Sequence, residues 1–187
     1  MLDVGKTPSS DATVLPYVRA ANIQEAGLDL TSVNEMPFSP AEARILDVRR
    51  GDLLVVEGGA VGLNTHIDAD MTGWSFQKTV NRVRAISDGS TRFLGFSLDA
   101  LRRDGVIDML SNKSTIAHLT AEKLERIVIA FPPASEQIEI AEHLQGAAKD
   151  IDAAIADARE AIALSRERRA ALISAAVTGK IDVRGAA

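Results

Sequence analysis

The sequence contains no cysteine, which excludes disulfides, thiolate catalysis and cysteine-based zinc sites. It also has no run of the roughly 18 or more apolar residues that a membrane-spanning helix requires. The polar, Gly- and Pro-containing stretch after Met1 lacks the basic and apolar regions of a signal peptide, so a cytoplasmic setting is expected. Proline is missing from a third place that matters: from residue 134 to 178 there is none, and the only glycine is Gly146. Alanine, leucine, isoleucine, glutamate and arginine dominate this stretch, all good helix formers. Pro132 and Pro133 suit an extended approach to it. Ser135 is the expected N-cap, Glu136 and Glu139 place negative charge in the first turns, and Gly179 stands where a C-terminal cap belongs. About 40 residues at roughly 1.5 Å each make a rod on the order of 60 Å long.

The apolar positions of this rod repeat every seven residues. Leu144, Ile151, Ala158 and Leu172 recur at one heptad position, with Ser165 between the last two. Ala141, Ala148, Ile155, Ile162 and Ala176 recur four residues later. A stripe of this length exceeds what an ordinary small domain can cover, so it calls for another long helix. Ser165 and Arg169 interrupt the seam, and interruptions of this kind fix register and partner orientation. The alternative is a helix laid across its own core.

With 187 residues, one globular domain plus this appendage is expected: 1–133 a mixed domain, 134–178 the helix, 179–187 a tail. The net charge of -5 argues against nucleic acid, but its distribution does not. Between Trp74 and Arg103 six basic residues face two acidic ones, a local +4. Val14–Ala21 reads as a short strand with Pro16 near its start, suited to the edge of a sheet, and short extended pieces follow to Phe38. Ser39-Pro40-Ala41-Glu42 opens a short helix. Leu53–Val56 is a strand buried on both faces, running into Gly58, Gly59 and Gly62, which serve either as a phosphate-contacting loop or as a tight corner. No Gly-Lys-Ser/Thr follows, so this is not a Walker loop. Phe76–Ile86 reads as one strand displaying Lys78, Arg82 and Arg84. Thr91–Arg103 is an amphipathic helix with Phe93, Leu94, Leu98 and Leu101 inward. Ser111–Thr115 is a polar loop suited to phosphate oxygens or base edges. Thr120 caps a short helix, and Ile127–Phe131 is a last strand. His66, Asp68 and Asp70 alternate like metal ligands, with a turn at 68–73 as the competing reading, and His118 reads as a surface histidine. The fold class is α+β, a mixed globular domain followed by a long C-terminal coiled-coil helix.

The segments PYVRAANIQ, GDLLVVEGGAVG, FQKTVNRVR, STIAHL, FPPASEQIEI and ALISAAVTGKIDVRG span nearly the whole chain in this order. Together they resemble the specificity subunit of type I restriction-modification systems. The resemblance implies a target-recognition domain reading one half of a bipartite DNA site, followed by a spacer helix. The usual subunit carries two of each, with its long helices antiparallel. This chain carries one of each, which implies a half-subunit that forms an antiparallel homodimer through its helix. The seam is Leu144, Ala148, Ile151, Ile155, Ala158, Ile162 and Leu172. Two departures accompany the resemblance. Family members usually have a strand upstream of the position where this chain opens with MLDVGKTP, so either an incomplete domain or a truncated start is expected. Leu63 also stands where many relatives carry a basic residue.

Neither a nuclease carboxylate-lysine set nor an adenine-methylase motif is found, so chemistry is expected from partners: methyltransferase subunits that bind S-adenosylmethionine, and a motor-nuclease subunit. The expected DNA contacts are Lys78, Asn81, Arg82, Arg84, Lys113, Ser114 and Thr115 on double-stranded DNA, with no cofactor, metal or catalytic residue in this chain. The rival readings are a coiled-coil adaptor that binds protein, favoured by the acidic total charge, and an enzyme built on His66, Asp68 and Asp70.

Overall fold

The computed structural model describes residues 10–111 and 117–181. Two compact units divide between Ala141 and Glu142, so the first two turns of the long helix belong to the globular unit. No helix among the described residues is long and apolar enough to cross a membrane.

The globular unit is organised by β5 (Leu53–Val56), the central strand of a three-stranded antiparallel sheet ordered β6-β5-β8, with β6 at Asn64–His66 and β8 at Val80–Val83. Because side chains alternate along a strand, its unbroken apolar run faces two cores at once. Leu54 and Val56 join a cluster with Val18, Ile67 and Val80, while Leu53 and Val55 join Leu98, Ile107 and Leu119 on the other face. All four strand residues are completely buried. At about 1.5–3 kcal/mol per side chain, this strand contributes at most roughly 6–12 kcal/mol of apolar transfer energy.

A second sheet, ordered β4-β1-β7, comprises β1 (Thr13–Val18), β4 (Asn34–Phe38) and β7 (Ser75–Phe76). β1 is its central strand, not an edge. Pro16 is nevertheless tolerated, because the parallel pairing with β7 reaches only Tyr17 and Val18, leaving Pro16 opposite Glu35 of β4 alone. A two-residue pair, β2 (Ile23–Gln24) and β3 (Gly27–Leu28), lies between β1 and β4 in the chain. Helix α1 (Pro40–Ile45) opens with the predicted Ser39 and Pro40. The Ser39 hydroxyl accepts from the Glu42 backbone N–H, and the Glu42 carboxylate accepts from the Ser39 backbone N–H at 3.0 Å. Helix α2 (Thr91–Arg103) has Ser90 as its cap and buries Phe93 and Leu98, as its spacing predicts, with Leu94 and Leu101 partly buried against the core.

Three further expectations are corrected. Phe76–Ile86 is not one strand: β7 pairs with β1 in one sheet, β8 pairs with β5 in the other, and the chain changes sheets through a turn at 77–80 closed by Val80 N–H donating to the Gln77 carbonyl at 2.9 Å. Residues 127–131 are extended but join no ladder, so their alternating exposure reflects packing of Ile127 and Ile129 without a strand partner. Helix α5 (Ala134–Val177) starts one residue before Ser135, which lies in its first turn; the Pro133 carbonyl accepts from the Gln137 N–H. Two short helices, α3 (Val106–Ser111) and α4 (Ala121–Leu124), complete the unit.

The second unit is α5 from Glu142 onward, ending as predicted at Gly179. Gly179 has φ +71°, its N–H bonds the Ala176 carbonyl, and the Lys180 N–H bonds the Ala175 carbonyl, a Schellman cap.

The glycine corner after β5 is fixed by packing. Gly62 has φ +77°, and a Cβ there would lie 2.9 Å from Ile107 Cγ2. Gly62→Ala is therefore expected to cost about 1–3 kcal/mol in urea unfolding, whereas Gly59→Ala, strained at φ +88° but with open space around it, costs less.

Candidate nucleic-acid interface

The two ends of the β6-β5-β8 sheet differ in chemistry. At the Val56 end the glycine corner, the 77–80 turn and the segment 117–119 converge: Glu57 N–H donates to the Thr79 carbonyl, Leu119 N–H to the Glu57 carbonyl, and the Asn81 amide to the Leu119 carbonyl at 2.8 Å. Gly58 pairs with His118, and a Cβ at Gly58 would fall 3.1 Å from the imidazole. The glycines here permit close packing of the corner against His118 and Ile107. Lys123 Nζ donates to the carbonyls of Ser111 (3.3 Å) and His118 (2.7 Å), tying together the residues on either side of 112–116. Lys78 is exposed on the adjoining turn. Lys113, Ser114 and Thr115 lie outside the described residues. The structure thus brings Lys78 and Asn81 to the end of the sheet where that segment begins and ends.

At the Leu53 end the arginines are engaged by carboxylates. Arg84 grips Asp52 with two hydrogen bonds, Nε at 2.6 Å and Nη2 at 2.7 Å, while Asp52 is only 1% exposed and also accepts from the Arg49 N–H. Arg82 donates to the Asp47 carboxylate at 2.8 Å and to its carbonyl at 2.6 Å, and its guanidinium lies 5.6 Å from the Phe76 ring centroid. Arg49 also pairs with Asp47. Burial works to raise the Asp47 pKa, but the Arg49 hydrogen bond and the charges of Arg84, Arg49 and Arg82 outweigh it and hold it below the usual carboxylate range. Arg84, held by its hydrogen bonds to Asp52, is raised. Arg82 and Arg84 are therefore not displayed as the sequence pattern suggests. Periodicity assigns a face, and it cannot see that Asp47 and Asp52, more than 30 residues earlier in the chain, wait on that face.

With the geometry in place, comparison with known proteins is decisive. A family model described as the type I restriction modification DNA specificity domain matches residues 5–158. The chain belongs to that family. No curated protein sequence matches it. Two solved structures share the fold. One, reported under the structural basis of complex assembly and conformational transition of the type I R-M system, superposes with a TM-score of 0.65 at 20% identity over 91% of this chain. The other, the HsdS subunit from Thermoanaerobacter tengcongensis, gives 0.58 at 18% identity over 76%. This chain spans only 41% and 37% of their respective lengths.

Within this specificity domain, of the histidine and two aspartates spaced like metal ligands, His66 and Asp68 meet at 3.2 Å but Asp70 does not join them. His66 and Asp68 both meet Arg92, with His66 Nδ1 at 3.0 Å from Arg92 Nη2, while Asp70 accepts from the Thr72 N–H and hydroxyl. Among the described residues no group of three or more such side chains is placed to hold a metal ion. Burial, then the Arg92 charge, pushes the His66 pKa below 6.5 against the pull of Asp68. Residues that the sequence reading passed over are Asp47, Asp52 and Lys123. An Asp after the Arg49-Arg50-Gly51 turn is the only local signal that could have pointed to Asp52.

Arg84→Ala would leave the Asp52 carboxylate buried with only a backbone donor. A loss of about 2–3 kcal/mol is expected in chemical denaturation, the low side of what breaking a buried pair costs because Arg84 is itself partly exposed.

Proposed function

We propose that this specificity domain is the DNA-reading, non-catalytic subunit of a type I restriction-modification assembly, that it pairs with a second copy of itself through α5, the two helices antiparallel, and that it recruits methyltransferase subunits and a motor-nuclease subunit. The observation that carries the reading is the apolar seam. Leu144, Ile151, Ile155, Ile162 and Leu172 recur on a 44-residue helix and are 38–60% exposed in the single chain, alongside Ala148 and Ala158. Burying such a row against a second long helix removes it from water, and a two-fold axis makes the same patch serve both partners. Two recognition units related by that axis would read a palindromic bipartite site.

DNA contact is assigned to Lys78 at the Val56 end of the sheet and, outside the described residues, to Lys113, Ser114 and Thr115. Asn81 and Lys123 hold the backbone beside that segment, and Arg82 and Arg84 brace the opposite end. S-adenosylmethionine would belong to the methyltransferase partner, and a cytoplasmic setting follows from such a role. A protein-binding adaptor is the second reading, supported by the net charge of -5.

Gel-shift titration of the full chain, with and without methyltransferase subunits, separates the two. A DNA-reading subunit forms a complex at least with its partners present, and an adaptor forms none in either case. In a salt series, Lys78→Ala should weaken binding across all sequences and flatten the log–log slope by about 1. An unchanged slope removes Lys78 from the interface.

A further inference from the structure

Among the buried polar side chains, Gln137 stands apart. It is 1% exposed, it lies in the first turn of α5, and its amide serves two segments that the sequence separates widely. Its Oε1 accepts the Ser90 N–H at 3.0 Å, and its Nε2 donates to the Pro132 carbonyl at 2.8 Å. Ser90 is at the same time the cap of α2, its hydroxyl accepting the Phe93 N–H. Gly89 lies beside the same amide, where a Cβ would meet Gln137 Oε1 at an ordinary contact distance of 3.4 Å. A glutamine buried this fully must satisfy both ends of its amide, and here each end is used to bind backbone. Ala141, one turn further on, is also buried.

We infer that Gln137 is a positioning residue: by tying the first turn of α5 to the loop that starts α2, it sets the spacer length of the bipartite site that the assembly accepts. This rests on the function proposed above. A 44-residue helix is about 66 Å long. A tilt of roughly 3° at its base moves the far end by about 3.4 Å, the rise of one base pair. Each added base pair also turns the next half-site by about 35° around the duplex. A long lever makes small freedoms at its base large at its tip, so the rigidity of one turn governs which spacers fit. No surface contact with DNA is needed for this effect, which separates it from direct readout.

Selection from a pool of randomised duplexes by the full chain with methyltransferase subunits, followed by sequencing, reads half-sites and spacer together. The wild type is expected to yield two half-sites at one dominant spacer length. Gln137→Met, similar in volume but unable to make either bond, should recover the same half-site bases while its preference for that spacer over spacers one base pair longer or shorter falls at least about fivefold, the lower end of what two buried hydrogen bonds supply. If Gln137→Met does not fold, Gln137→Asn, one methylene short of both partners, carries the same test. A folded variant with wild-type half-sites and an unaltered spacer distribution overturns the inference, even if its melting temperature drops, because that is the pattern of a purely structural residue. Failure of the wild type to yield any bipartite motif would instead overturn the DNA-reading function, and this inference with it.

Discussion

The constraint on which everything else depends is an apolar row that stands exposed among the described residues. Five large aliphatic side chains of α5 stand between 38% and 60% exposed, spaced by heptads, in a helix with no proline to interrupt it. Most helices in proteins owe their stability to packing on an amphipathic face more than to propensity. This one has strong propensity, a negative first turn and a Schellman cap, but among the described residues its large apolar side chains beyond residue 141 stand exposed. The proposed second copy would bring a helix of matching repeat, related by a two-fold axis, to bury that row.

The globular unit meets the opposite demand, that of holding polar loops steady from a small core. It does so by running one strand, Leu53–Val56, between two clusters, so that each face of β5 anchors a different set of elements. The same strand separates two chemistries. One end carries arginines neutralised by Asp47 and Asp52, which makes it a brace. The other carries a glycine corner, Lys78 on a turn and the flanks of residues 112–116, bound by Asn81 and Lys123. Backbone carbonyls accept the side-chain bonds of Asn81 and Lys123 at this end.

Local signals in the sequence match the structure where the cause is local. Ser39-Pro40, the α2 spacing, the buried β5 run and the Gly179 cap depend on residues within one or two turns of one another, and all appear as predicted. The failures share a different cause. Phe76–Ile86 alternates like a single strand, but its two halves are claimed by different sheets, and only the tertiary partners Val18 and Val56 decide where it breaks. Residues 127–131 have strand composition and no neighbour to pair with. The arginines of β8 look like a displayed basic face until Asp47 and Asp52 are brought beneath them. Gln137 sits in a segment whose family resemblance is strong, yet nothing in its neighbours shows that its amide reaches Ser90, 47 residues earlier.

Sedimentation equilibrium of the full chain across low micromolar concentrations tests the central claim most directly. The account predicts a dimer that dissociates when Ile155 and Ile162 are replaced by lysine, with the globular unit still folded. A wild-type chain that remains a monomer throughout that range would contradict it.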